Sequence, residues 1–327
     1  MKDTQIVIST KTILTSLGLI ALFWVMYLVK DVLLLLFASL ALALSLDPLV
    51  DRLSRKRLSR GFATLLTLGL LIIIFLFLGT LVVNPLAQQT KLLYAQLPSY
   101  TETLLGDTGL DNIFNGSFIP EITKSTGNLL IVTRNAFSSL FSIIVAIVFT
   151  VYLLLDFDSI RNSFVRVFPK KEQAPLRKFL LRIESRLGGW LRGQLTLMFI
   201  VGLLTFIGLS ILGIEEALAL AVLAGLLEAI PIVGFVIALI PAVIIGFIVS
   251  PITGLAVLAL YSIVQQLENN FIVPKVMQKA VGFNPLITML VLLIGGKLFG
   301  LTGMLLAIPM TLVIHETFIY LREEGKW

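Results

Sequence analysis

Cysteine is absent from the 327 residues, and histidine occurs once. No disulfide or thiolate metal site can form, and a single histidine without cysteine cannot make an ordinary zinc site. Charge is scarce too. Only 13% of the residues are Asp, Glu, Lys or Arg, against about 25% in a soluble domain. That is too little for a water-facing surface of this size. Catalytic patterns are also missing: there is no H-E-x-x-H, G-x-S-x-G, Walker A loop or G-x-G-x-x-G. His315, beside Glu316 at the end of the last apolar run, reads as a polar residue at an interface. Neither an enzyme nor a cofactor is expected.

What the chain has is hydrophobicity: 57% of it is hydrophobic and its mean hydropathy is +1.01. The expectation is an all-α, polytopic integral membrane protein forming a single transmembrane domain over residues 1–327. A net charge of +6 would suit a nucleic-acid partner in a soluble protein. Here the basic residues lie in short loops between apolar runs, so the lipid bilayer is the expected partner, and nucleic acid is not.

About 20 helical residues cross a hydrocarbon core of about 30 Å. Charge-free runs of that order occupy Thr12–Val29, Gly61–Val83, Asn135–Leu155 and Thr196–Ile214, with a shorter one at Val32–Leu46. Lys2 and Lys11 precede the first run as in a signal peptide, but no small-residue cleavage site follows, so an uncleaved helix is expected. From Ala229 to Leu267 no charge appears, and Pro231, Gly234, Pro241, Pro251 and Gly254 punctuate the stretch. A hairpin over about 217–249 and a spanning helix over about 253–272 are expected. Ala280–Gly296 and Leu298–Ile314, separated by Lys297, make a final pair.

With the N-terminus inside, 20 of the 25 basic residues fall in inner segments. That bias puts both termini in the cytoplasm. The first hairpin arm, Ala217–Pro231, spans only about 22 Å as a helix, so the favoured layout is eight crossings plus a re-entrant hairpin, with ten crossings as the alternative. Residues 84–130 read as an outer, net acidic segment, whose Asn115-Gly116-Ser117 matches a glycosylation sequon of the kind that arises by chance. Residues 156–195 form the basic inner segment. There Leu176, Phe179, Leu180, Ile183, Leu187, Trp190 and Leu191 recur at helical spacing among Arg177, Lys178, Arg182 and Arg186. An amphipathic helix lying at the lipid headgroups fits that pattern, and a gating role is the alternative.

Polar groups inside a membrane are costly and mark function. Glu228 lies just before the helix-breaking Pro231 and Gly234, where freed backbone carbonyls could join its carboxylate around a cation or solute. A carboxylate merely solvated at a shallow interface is the other reading. Gln265, Gln266, Glu268, Asn269 and Asn270 form the second candidate, with Gln265, Glu268 and Asn269 on one helix face. They suit either a polar lining for a solute or a hydrogen-bonded packing site. Lys297 reads as a snorkelling side chain.

Several motifs occur in series: Trp190-Leu191-Arg192-Gly193-Gln194, Glu228-Ala229-Ile230-Pro231-Ile232-Val233-Gly234, and Gln266-Leu267-Glu268-Asn269-Asn270-Phe271-Ile272-Val273-Pro274-Lys275-Val276-Met277. Gly282-Phe283-Asn284-Pro285, Gly295-Gly296-Lys297-Leu298-Phe299-Gly300 and Gly303-Met304-Leu305-Leu306-Ala307-Ile308-Pro309 follow in order. Over essentially its whole length the chain resembles the autoinducer-2 exporter (AI-2E) family of bacterial permease-like proteins. The resemblance implies a secondary transporter of about eight crossings in the bacterial inner membrane, assembled as a homo-oligomer. It implies a small polar solute such as autoinducer-2 as cargo, or sodium (lithium)/proton exchange. A non-transporting membrane scaffold is the third alternative.

Overall fold

The computed structural model describes residues 10–56, 58–105, 129–277, 284–323 and 325; within these, the side chains of 10–14, 23, 83–141 and 285 are left out. The readings of Lys2, Gly282-Phe283 and the sequon at Asn115 lie outside the described residues.

Every regular element described is helical. In chain order they are α1 (Thr10–Leu28), α2 (Lys30–Ser54), α3 (Arg60–Leu105), α4 (Leu129–Arg166), α5 (Lys170–Ile211), α6 (Ala217–Leu227), α7 (Val233–Val249) and α8 (Pro251–Leu267). A single π-helical turn, Glu268–Ile272, leads into α9 (Val273–Met277), and α10 (Pro285–Glu323) ends the described fold.

Among the described residues, five helical stretches are long and apolar enough to cross a membrane: Lys30–Ser54, Arg60–Val82, Ser142–Arg166, Lys170–Ile211 and Leu286–Glu323. On α3, Ile73, Phe75, Leu76 and Phe77 are each more than 60% exposed. Four large apolar side chains in five positions, open all round, require lipid rather than water as solvent. The protein is a multi-pass membrane protein.

α10 is two helices, as the final apolar pair predicts, but the break falls at Gly300 rather than Lys297. Gly300 has φ 61° and ψ −145°, a conformation open to glycine. A Cβ added to Gly295 would sit 2.5 Å from the Gly303 carbonyl oxygen. In a straight helix residues eight apart lie about 12 Å apart along the axis. The chain therefore folds back on itself, and Lys297 is an exposed residue near the bend.

The basic inner segment differs from its expected form. It starts in the last turns of α4, crosses the short link at 167–169 and continues as the first part of α5, which runs unbroken into the charge-free run that follows. Its apolar stripe packs on protein rather than lipid: Leu187 and Trp190 are buried with Leu44, Ile308 and Leu312, and Ile183 packs against them. Phe179 stacks on Tyr320. The intervening arginines hold the same neighbour, with Arg182 making two 2.8 Å bonds to Glu323 and Arg186 Nε 3.2 Å from Glu316. A one-sided apolar helix looks the same in sequence whether protein or lipid covers it.

Candidate functional site

α6 and α7 form the hairpin expected from the proline and glycine pattern. Its tip, Glu228–Ile232, is wound tightly: Ile230 donates its N–H to Leu227 (3.0 Å), Val233 to Pro231 (2.8 Å) and Gly234 to Ile230 (2.9 Å). Pro231 carries no N–H, so the helix cannot run through. Gly234 is required by contact: a Cβ there would overlap the carbonyl of Leu227 and come 3.0 Å from the Glu228 nitrogen. Ile232 sits at φ 70° and ψ −53°, a strained position for a β-branched residue.

This tip holds Glu228 away from the surface. Glu228 is 1% exposed and Glu268, in the π-helical turn after α8, is 4% exposed. Their carboxyl groups lie close enough to each other to interact. From α5, Gln194, itself 2% exposed, donates Nε2 to the backbone carbonyl of Glu228 at 2.6 Å. That carbonyl belongs to the end of α6, and the amide from α5 anchors it there.

The polar run on α8 divides into two sides. Gln265 is half-buried and its Nε2 lies 3.3 Å from Glu268 Oε2 and 3.4 Å from Asn269 Oδ1, so the three residues expected on one face do meet. Gln266 and Asn270 pair with each other (3.0 Å) on the exposed surface, and Asn269 is exposed as well. The structure thus brings Glu228, Glu268 and Gln265 together, and does not bring Gln266 or Asn270 to them. Pro231 and Gly234 shape the tip. Two buried acceptor atoms here, Glu228 Oε1 and Gln265 Oε1, have no hydrogen-bond partner.

Two further polar residues escaped the sequence reading. Gln194 was visible only as part of a motif, although an amide two residues before a charge-free run is a usable signal. Tyr261, on α8, is 2% exposed with an unpartnered hydroxyl. Inside an apolar run a tyrosine reads as one more aromatic. No cluster of three or more potential metal ligands occurs among the described residues.

On another face of α5 lies a 250 Å³ cavity lined by Asp47, Arg60, Asp158, Arg161, Glu184 and Arg192. Its charges are largely matched internally: Arg60 bonds Asp47 (2.7 Å) and Asp51 (3.2 Å), and Arg161 bonds Glu184 (2.7 Å) and Asp158. These pairs tie α2 to α3 and α4 to α5. Burial, opposed by the Arg161 guanidinium, holds the Glu184 carboxyl above the ordinary glutamate range.

A buried carboxyl pair thus lies at a broken hairpin in a multi-pass membrane protein, and the chain's relatives are named as transport proteins. The family model described as AI-2E family transporter matches residues 17–323. The chain belongs to the AI-2E transporter family. It is 28% identical over 297 residues to YueF of Bacillus subtilis, covering 83% of this chain and 79% of YueF. A 169-residue stretch is 30% identical to YrrI of the same organism, 52% of this chain and 48% of YrrI. The AI-2 transport protein TqsA of Escherichia coli is 26% identical over 293 residues, 84% of this chain and 82% of TqsA. The family is one of transporters rather than enzymes.

Proposed function

We propose that the protein exports a small polar solute across the bacterial inner membrane, with autoinducer-2 as the leading candidate, through a site centred on Glu228, Glu268 and Gln265. The observation that carries this is the pairing of two buried carboxyl groups beside two unpartnered acceptor oxygens. A buried acceptor without a donor costs about 1–3 kcal/mol. A hydroxylated solute supplies the missing donors. Glu228 is the proton-responsive group, Glu268 stands beside it, and Asn269, Asn270 and Gln266 line the exposed approach. Pro231 and Gly234 shape the loop.

The layout in this reading is eight crossings with a re-entrant hairpin and both termini in the cytoplasm. α6 supports it: its 11 residues extend about 17 Å, little more than half of a ~30 Å core. The lipid bilayer and further copies of the chain are the expected partners.

Sodium/proton exchange is the second reading, and the burial of two carboxyl groups, Glu228 and Glu268, favours it. Flux in proteoliposomes separates the two. Autoinducer-2 efflux that vanishes in Glu228→Gln, with folding and assembly unchanged, supports export. Sodium-driven proton movement lost in the same variant, without solute efflux, replaces export by exchange. Normal transport by Glu228→Gln removes Glu228 from either mechanism, and silence of the wild type in both assays favours a scaffold.

A further inference from the structure

Protein covers the apolar stripe of α5, but the end of α4 carries a stripe that is left open. The charge-free run of α4 ends at Leu155, and helical geometry breaks at the next residue, Asp156, with φ −121° and ψ 17°. The last turns, 157–166, therefore leave the axis of the apolar run. Within them Phe157, Arg161 and Val165 turn to the protein. Phe157 packs on the cluster of Leu187 and Trp190, Arg161 bonds Glu184, and Val165 is buried. Ile160, Phe164 and Val167 do not turn inward. They stand at i, i+4 and i+7, the first two about half exposed and Val167 81% exposed. The Phe168 ring lies 5.4 Å from that of Phe164, and the amides of Val167 and Phe168 hold the turn by donating to Phe164 (3.3 Å) and Val165 (3.2 Å).

Basic charge borders this stripe. Between 164 and 178 stand Arg166, Lys170, Lys171, Arg177 and Lys178 against Glu172 alone, and all five basic residues are exposed. The chain itself keeps the stripe near lipid. Val167 follows Leu155, the last residue of the apolar run, by 12 residues, about 18 Å at helical rise, and the kink at Asp156 shortens that height. A headgroup layer about 5–8 Å deep borders the hydrocarbon on each side. Apolar side chains at helical spacing, edged by exposed basic ones, suit a segment lying in an anionic lipid interface.

We propose that the end of α4 and the turn into α5 dock on anionic phospholipid, with Ile160, Phe164 and Val167 entering the headgroup–acyl boundary and Arg166, Lys170 and Lys171 holding phosphates. An acidic protein would match the same charge, but it would have to be recruited, whereas the bilayer is already within reach of the stripe. Docking also steadies α5, because Arg161, on the same turns, bonds Glu184.

The chain has no cysteine, so Val167→Cys offers a single site for a polarity-sensitive dye, at a side chain exposed enough for folding to tolerate the change. In nanodiscs of phosphatidylcholine its emission should be that of a probe in water. Adding phosphatidylglycerol should shift the emission to the blue, and about 1 M salt, which cuts the screening length to about 3 Å, should reverse the shift. Lys170→Gln and Lys171→Gln in the labelled protein should each lower the ratio of docked to free probe about fivefold. Emission unmoved by phosphatidylglycerol overturns the proposal. Blue emission in phosphatidylcholine alone, insensitive to salt, also overturns it, since a second copy of the chain or uncharged apolar contact would then cover the stripe. A shift that survives both lysine substitutions unchanged removes the phosphate contacts and with them the preference for anionic lipid.

Discussion

Replacing Gly234 by alanine sets one methyl group against the backbone of the hairpin tip. The added carbon would overlap the Leu227 carbonyl and stand 3.0 Å from the Glu228 nitrogen. These are backbone atoms, so no rotamer change relieves the clash. Overpacking a tight site costs about 1–3 kcal/mol when side chains can yield, and the upper end applies where only the backbone can move. A loss of about 3 kcal/mol lowers the unfolding midpoint by about 6 °C at roughly 2 °C per kcal/mol. Clearing the overlap also shifts the Leu227–Glu228 peptide by about an ångström, a displacement that costs roughly 100-fold in rate at a functional site. Detergent-solubilised protein followed by fluorescence gives the first quantity, and proteoliposome flux the second. Gly69→Ala is the control. Nothing lies within 4 Å of its added carbon, and alanine in a helix interior is neutral to about 1 kcal/mol stabilising. A Gly234→Ala protein as stable and as active as Gly69→Ala would refute the close-packed tip.

Two more perturbations test the surroundings. Ile232→Gly should raise the unfolding midpoint by relieving a positive φ worth about 1–2 kcal/mol; a drop would mean that the exposed side chain contributes more than the backbone loses. At Glu184, where burial raises the carboxyl pKa over the opposing Arg161, the folded state holds the proton more tightly than the unfolded state. Stability from this group therefore falls as pH rises through the window just above the usual glutamate value. Glu184→Gln should flatten that fall in midpoint-against-pH curves, and a steeper slope would contradict it.

The helical, membrane-embedded character of the chain was legible because scarcity of charge and lengths of apolar runs are properties of composition alone. Glu228 and Glu268 were legible for a related reason, since a carboxylate stands out against an apolar background. The grouping of Gln265 with Glu268 and Asn269 was legible too, since the i, i+3 and i+4 spacing survives the π-helical turn that begins at Glu268. Which helix covers the apolar stripe of α5 was hidden, because lipid and protein present the same hydrocarbon to a one-sided helix. Lys297 drew attention by its charge, yet Gly300 makes the turn, because reversal depends on backbone freedom rather than polarity.

The Gln194 amide holds the carbonyl of residue 228, not its carboxyl group. Every amino acid has that carbonyl. The tether therefore survives any substitution at this position, and the loop stays in place whatever side chain it carries. Scaffold and chemistry are separable here: a descendant of this protein could exchange its glutamate for another polar group, and with it its cargo, without rebuilding the hairpin that presents it.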